Sequence, residues 1–470
     1  MKKNAGTKKS WIYELKLPKI VTRQHVKGIP QTLEALKGHL DFLKSFGKAG
    51  KKEVPQPPNL LFYGAPGAGK TFLACLLATE SGAKFVPALE APYTKWNADS
   101  IEKVFDDCCH WVNKNKKSLI LFWDEFDAIA KKKNRQNISV MEATMVSQLL
   151  SQLDGHMEKT PGLVVIGATN NIDEIEPSIY RAGRLKTVPF DELDEEGMLF
   201  ILKELAKDAG LPESFDYQTV AEMLSGETAS MAAQIINRTC FPSALGSKTG
   251  PITEEDFFQA VVEEKVGFKT NKILTAREKK MVVIHEIGHG LVSTLLGHPA
   301  QMLILSPRKD KKESWGNTLA RITRGILSKK DLDDHIAMLY GGIIAEEVCD
   351  IEGSAGAGAD LEEAGSLAAW WVDSFMRKQS VGRANLIGIT DAHHDSWGLH
   401  PLPTESLRRE SEKLIKKLLD AAEKMAFSAL KKVGKKKILK LARLLENKDI
   451  VPRNTFLKYC KKVGIKFPSK

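Results

Sequence analysis

NLLFYGAPGAGKTFLACLLATE, residues 59–80, joins an apolar run to an apolar helical pattern through a glycine-rich loop. The loop is Gly64, Ala65, Pro66, Gly67, Ala68, Gly69, Lys70 and Thr71, which satisfies G-x-x-x-x-G-K-T. Its glycines let the backbone wrap a phosphate, so that N–H groups and a helix N-terminus face the anion. Lys70 then reaches the β- and γ-phosphates of a nucleotide, and the Thr71 hydroxyl can hold Mg²⁺. A strand feeding such a loop and then a helix is the start of a parallel α/β sheet.

Reading outward, further buried-strand patterns occupy 84–88, 118–123 and 163–168, with helical spacing between them. This grammar predicts a mostly parallel sheet with helices on both faces. The run SLILFW ends in Asp124-Glu125, where Asp124 is placed to support Mg²⁺ and Glu125 to polarise an attacking water. GLVVIGA ends in Thr169-Asn170, which brings the Asn170 amide beside the γ-phosphate. Arg181 and Arg184 follow; they are either plain surface charges or, in a closed ring, groups that reach a neighbouring subunit's nucleotide and stabilise transition-state charge. A nucleotide with Mg²⁺ is therefore the expected ligand of this half.

Helical spacing also covers 31–46, and 51–58 reads as a loop. Between 191 and 267 the strands stop and amphipathic helices take over, with capping starts such as Thr253-Glu-Glu-Asp256. Residues 270–277 read as a linker, after which the pattern is mainly helical, with loop-rich inserts at 306–317 and 353–359. The expected organisation is a basic leader 1–24, an α/β domain 25–190, a helical lid 191–268 and a mainly helical domain 269–470.

In the last of these, MVVIHEIGHGLVSTLLG spans 281–297. Four-residue spacing puts His285 and His289 on one helix face, where both can bind Zn²⁺, and Glu286 is placed to act as general base on water. A catalytic zinc needs a third protein ligand and an open fourth position. His335, the pair His393–His394, Asp360 after the glycine-rich run, and Glu346 and Glu347 on another helix are all candidates, and spacing does not choose among them.

The composition of the 470 residues, 43% hydrophobic and 27% charged, is that of a globular chain and excludes a disordered tail, a collagen-like rod or a small disulfide scaffold. No run approaches the roughly 18 apolar residues of a bilayer-spanning helix, and the basic N-terminus lacks the apolar core of a secretory signal, so the chain is expected to cross no membrane. Six cysteines without paired spacing fit free thiols in the cytoplasm or another reducing compartment. The net charge of +10 is uneven, with thirteen Lys and Arg against four Asp and Glu in 1–60 and twenty against seven in 401–470. KKVGKKK at 431–437 has no interleaved aromatics and reads as solvated helix surface, so no specific nucleic acid is expected.

Glycine loop, LILFWDEFDAI, VVIGATN, RAGR, HEIGH and LYGGIIAEEV, in that order, resemble the FtsH family of ATP-dependent zinc metalloproteases over roughly 21–445. The resemblance implies an AAA+ P-loop α/β domain, a small helical lid and a mainly helical zinc metallopeptidase domain. It implies ATP, Mg²⁺ and Zn²⁺ as cofactors, and homohexamers that thread unfolded or misfolded proteins through a pore and hydrolyse them. AGAGAD matches the family's third-ligand segment, which selects Asp360 and leaves Glu346 and Glu347 supporting roles. The pore-loop position falls on Tyr93-Thr94-Lys95, where the family has an aromatic, an apolar residue and glycine. RAGRLKT and GETASM (226–231) also depart from the family pattern, and no counterpart of the family's transmembrane helices is expected. Membrane association is thus a family analogy alone. The alternative expectation is a non-proteolytic AAA+ remodeller with a vestigial peptidase domain.

Overall fold

The structure, a computed structural model, describes residues 11–13, 15–17, 21, 26, 29–47, 55–93, 95–132, 139–181, 184–245, 250–309, 313–320, 328–351, 357–372 and 405–468. The chain divides into two compact units, one of 1–217 with 224–237 and one of 218–223 with 238–470.

In the first unit α1 (Pro30–Ser45) precedes β1 (Asn59–Gly64), α2 (Lys70–Ser81), β2 (Lys84–Pro87), α3 (Ala98–Asn115) and β3 (Leu119–Trp123). There follow α4 (Val140–Lys159), β4 (Leu163–Thr169), the single turn α5 (Ser178–Arg181), β5 (Leu185–Phe190) and α6 (Glu195–Asp208). The strands form one parallel sheet in the order β2-β3-β4-β1-β5. Each starts within a residue of its expected position where one was expected; β5 mixes buried and exposed residues without a regular period and carried no such signal. Parallel strands must be covered on both faces, which is why they read as continuous apolar runs. Side chains alternate between two cores: Leu61, Leu119, Leu121, Trp123, Leu163 and Val165 enter one, and Leu60, Phe62, Ile120, Phe122, Val164 and Ile166 the other.

Two helices, α7 (Tyr217–Leu224) and α8 (Ala229–Ala244), contribute residues to both units. The second unit continues with α9 (Glu254–Lys265), β6 (Phe268–Lys269), α10 (Ala276–Leu295), β7 (Met302–Ile304), β8 (Arg308–Lys309), β9 (Glu313–Ser314) and β10 (Asn317–Leu319). Its remaining elements are α11 (Lys329–Val348), α12 (Ala357–Trp371), α13 (Glu405–Val433), α14 (Lys435–Leu445), β11 (Ile450–Pro452) and α15 (Arg453–Lys462). Two small antiparallel sheets, β10-β7-β11 and β6-β8-β9, occupy the expected loop-rich insert and its surroundings. Strands of two or three residues are too short to show a period of two, so the sequence reads there as loop.

The linker ends in a capping box, since the Thr275 hydroxyl accepts from Glu278 N and the Glu278 carboxylate accepts from Thr275 N. From Val283 to Thr294 every residue of the α10 helix is buried, so it is a central helix rather than an amphipathic surface one. It packs closely on α11 because both carry glycine at the crossing. A Cβ on Gly288 would lie 2.1 Å from the Gly341 carbonyl oxygen. Among the described residues no helix is long and apolar enough to cross a membrane.

Candidate functional site

Because β1, β3 and β4 are parallel, their carboxyl ends deliver the glycine loop, Asp124-Glu125 and Asn170 to one sheet edge. Lys70, the first residue of α2, is 8% exposed, and its ammonium donates to Gly64 O (2.7 Å), Ala65 O (3.0 Å) and Asn170 Oδ1 (2.8 Å). Burial pushes its pKa down, against the pull of Asp124. Thr71 Oγ1 lies 3.4 Å from Asp124 Oδ2, the pairing expected of two groups that can share one Mg²⁺. Glu125 is exposed beyond β3 with φ +50°, an αL conformation rare outside glycine, and its N–H donates to Asp124 Oδ1. The sharp turn places Asp124 beside Thr71 and leaves Glu125 exposed next to it.

Gly67 has φ +75°, and a Cβ there would lie 2.1 Å from Ser230 Oγ. The GETASM segment therefore touches the glycine loop, with Thr228 and Ser230 hydroxyls 2.8 Å apart. In the sequence that segment reads only as a departure from a family pattern, and its spacing carries no sign of the contact.

The two arginines differ. Arg181 is exposed at the end of α5. Arg184 is engaged within the chain: Nε and Nη2 donate to the two Asp154 carboxylate oxygens (2.6 and 2.9 Å), and Nη1 donates to Ser178 O. Tyr93 is half-buried against the α/β core, and its hydroxyl donates to Asp107, which also accepts from Trp11 Nε1. Burial and the neighbouring Asp107 push its phenol up to about 12.

In the second unit one ligand atom from each of His285, His289 and Asp360 lies within 4.8 Å of the others. His285 Nε2 is 3.0 Å from Asp360 Oδ2 and His289 Nε2 is 3.4 Å from the same oxygen. Ligand atoms of tetrahedral zinc stand roughly 3.3 Å apart, so this spacing fits that ion. The opposite ring nitrogens are already held: His285 Nδ1 donates to Glu346 Oε1 at 2.8 Å and His289 Nδ1 to Met338 O at 2.7 Å, both from α11. Those bonds fix each tautomer and turn both Nε2 atoms inward. Two imidazoles and one carboxylate, with a fourth position left over, are the donor set of a catalytic zinc.

The electrostatics agree. Burial lowers the affinity of His285 for a proton, but hydrogen bonds to Asp360 and Glu346 overturn this and lift its pKa to about 10. Burial would raise Asp360, yet the two histidines hold it well below the usual carboxylate range. The cluster favours a positive charge between these groups, which a metal ion supplies. Burial raises Glu286, which is 5% exposed. Thr318 Oγ1 lies 2.7 Å from Glu286 Oε2, a partner that no sequence signal announced. Of the other candidate ligands, Glu346 supports His285, Glu347 is exposed, and His335 lies 3.8 Å from Glu363 rather than at the triad. His393 and His394 lie outside the described residues.

Residues 60–191 match the family described as ATPase family associated with various cellular activities (AAA), and residues 272–458 match Peptidase family M41. The ATP-dependent zinc metalloprotease FtsH 2 of Thermoanaerobacter sp. (strain X514) is 30% identical over 443 residues, covering 92% of this chain and 81% of that protein. FtsH of Pseudothermotoga lettingae is 30% identical over 373 residues, 77% of this chain and 58% of its own length. FtsH of Syntrophobacter fumaroxidans is 26% identical over 457 residues, 94% of this chain and 69% of its own.

Proposed function

The chain belongs to the FtsH family of ATP-dependent zinc metalloproteases, and on that premise we propose that it unfolds protein substrates with ATP and hydrolyses their peptide bonds. Residues 25–190 are the nucleotide-binding domain in this reading, 191–268 the lid and 269–470 the peptidase. Lys70 and the loop from Gly64 to Thr71 hold the phosphates, Thr71 and Asp124 hold Mg²⁺, Asn170 senses the γ-phosphate, and Glu125 orients the attacking water.

His285, His289 and Asp360 are the proposed zinc ligands. Zinc, when bound, polarises the scissile carbonyl and makes water more acidic. Glu286 takes a proton from the attacking water on one carboxylate oxygen and returns it to the leaving amine. Glu346 and Met338 O keep the two imidazoles oriented throughout.

We assign the chain to a homohexameric ring in which the exposed Arg181 reaches a neighbour's nucleotide; Arg184 joins it by exchanging its Asp154 pair. Tyr93 is the proposed substrate-gripping aromatic. No observation favours a vestigial peptidase, since the three ligand atoms are clustered and the adjacent Glu286 is buried.

That clustering beside a buried Glu286 is the observation that carries the reading. The test is ATP-dependent degradation of an unfolded casein-type substrate. Glu286→Gln is expected to lose at least about a hundredfold in degradation while ATP turnover stays near wild type. Chelation of the metal is expected to give the same pattern. A Glu286→Gln variant that degrades as fast as wild type overturns the assignment.

A further inference from the structure

A general base is useful only if the oxygen that takes the proton is held in place. Glu286 sits inside a helix, and its carboxylate has room to rotate about its last torsion unless something fixes it. Two residues of one short segment do so. Thr318, in the middle of β10, places Oγ1 2.7 Å from Glu286 Oε2 and 3.1 Å from the Glu286 carbonyl oxygen. A hydroxyl has one proton to donate, and the shorter contact is the charged one, which makes the stronger bond. Two residues earlier, a Cβ on Gly316 would lie 2.5 Å from Glu286 Oε1 and 2.9 Å from Cδ. The other carboxylate oxygen thus occupies space that any side chain at 316 would take.

We propose that Thr318 is a positioning residue for the peptidase reaction. Its hydroxyl pins Oε2, which leaves Oε1, on the Gly316 side, as the oxygen that accepts and returns the proton. Because β10 pairs with β7 through Leu303 opposite Thr318, the hydroxyl is carried on a hydrogen-bonded strand rather than on a free loop. This inference rests on Glu286 being the base.

The experiment compares Thr318→Val, Thr318→Ser and Glu286→Gln in the full chain, with short-peptide hydrolysis, zinc content and ATP turnover measured on each. Valine keeps the β-branched shape and removes the hydroxyl; serine keeps the hydroxyl. Thr318→Val is expected to lower kcat by up to about a hundredfold, with KM, zinc content and ATP turnover unchanged. Thr318→Ser is expected to stay within a few-fold of wild type. Wild-type kcat in Thr318→Val, or equal loss in the valine and serine variants, overturns the positioning role. Should Glu286→Gln keep full activity, the base assignment fails and this inference with it; an inactive Glu286→Gln beside a normal Thr318→Val removes Thr318 alone.

Discussion

Glu346 touches no reacting atom in the proposed chemistry, yet it decides which nitrogen of His285 is available. Its carboxylate, 1% exposed, accepts the Nδ1 proton and strengthens the ring as a ligand through Nε2. Glu346→Gln keeps the shape and removes the charge. We expect it to weaken zinc binding about 10- to 100-fold, read by competition with a chromophoric chelator, while nucleotide binding is unchanged. An unaltered zinc affinity would show that the pair only fills space. At this scale the sequence reaches unevenly. Any helix makes His285 and His289 neighbours, so their shared face is legible before folding. Asp360, 75 positions after His285, enters the cluster only because α12 folds back, and family resemblance rather than spacing pointed to it. The bonds of Glu346 and Thr318 arise from packing between elements, which a local pattern does not encode.

Between elements, the contact that shapes the peptidase half is the crossing of α10 and α11 at Gly288 and Gly341. Any side chain at 288 meets backbone, which cannot swing aside as a flexible side chain would. Gly288→Ala must push the helices apart and move His289 relative to Met338 O. A loss of about 1–3 kcal/mol is expected in denaturant unfolding, together with weaker zinc binding. Wild-type stability in that variant would mean that the crossing has slack. The parallel sheet was legible at this scale because strands covered on both faces must be apolar throughout. The short strands β8, β9 and β10 were not, and neither was the all-round burial of α10, which is covered by α11, α13 and α14 as well as by β7 and β10.

At the scale of the molecule, each unit has its own core, and each holds one of the two candidate sites. A ligand stabilises what it binds. Calorimetry is therefore expected to resolve two transitions, one raised by a non-hydrolysable ATP analogue with Mg²⁺ and the other lowered by zinc chelation. A single transition moved by both would refute independent units. The basic C-terminal region also takes its place here. Lys431, Lys432, Lys435 and Lys436 are exposed, while Leu430, Val433, Ile438 and Leu441 on the same helices are buried, so the charge is the wet side of a core element.

The separation of the three proposed ligands along the chain has a consequence for how the enzyme is born. A ribosome makes the two imidazoles well before the carboxylate 75 positions after the first of them. The α13 and α14 helices that complete the surrounding core come later still. Until those segments have been made, the nascent polypeptide carries no finished cutting centre.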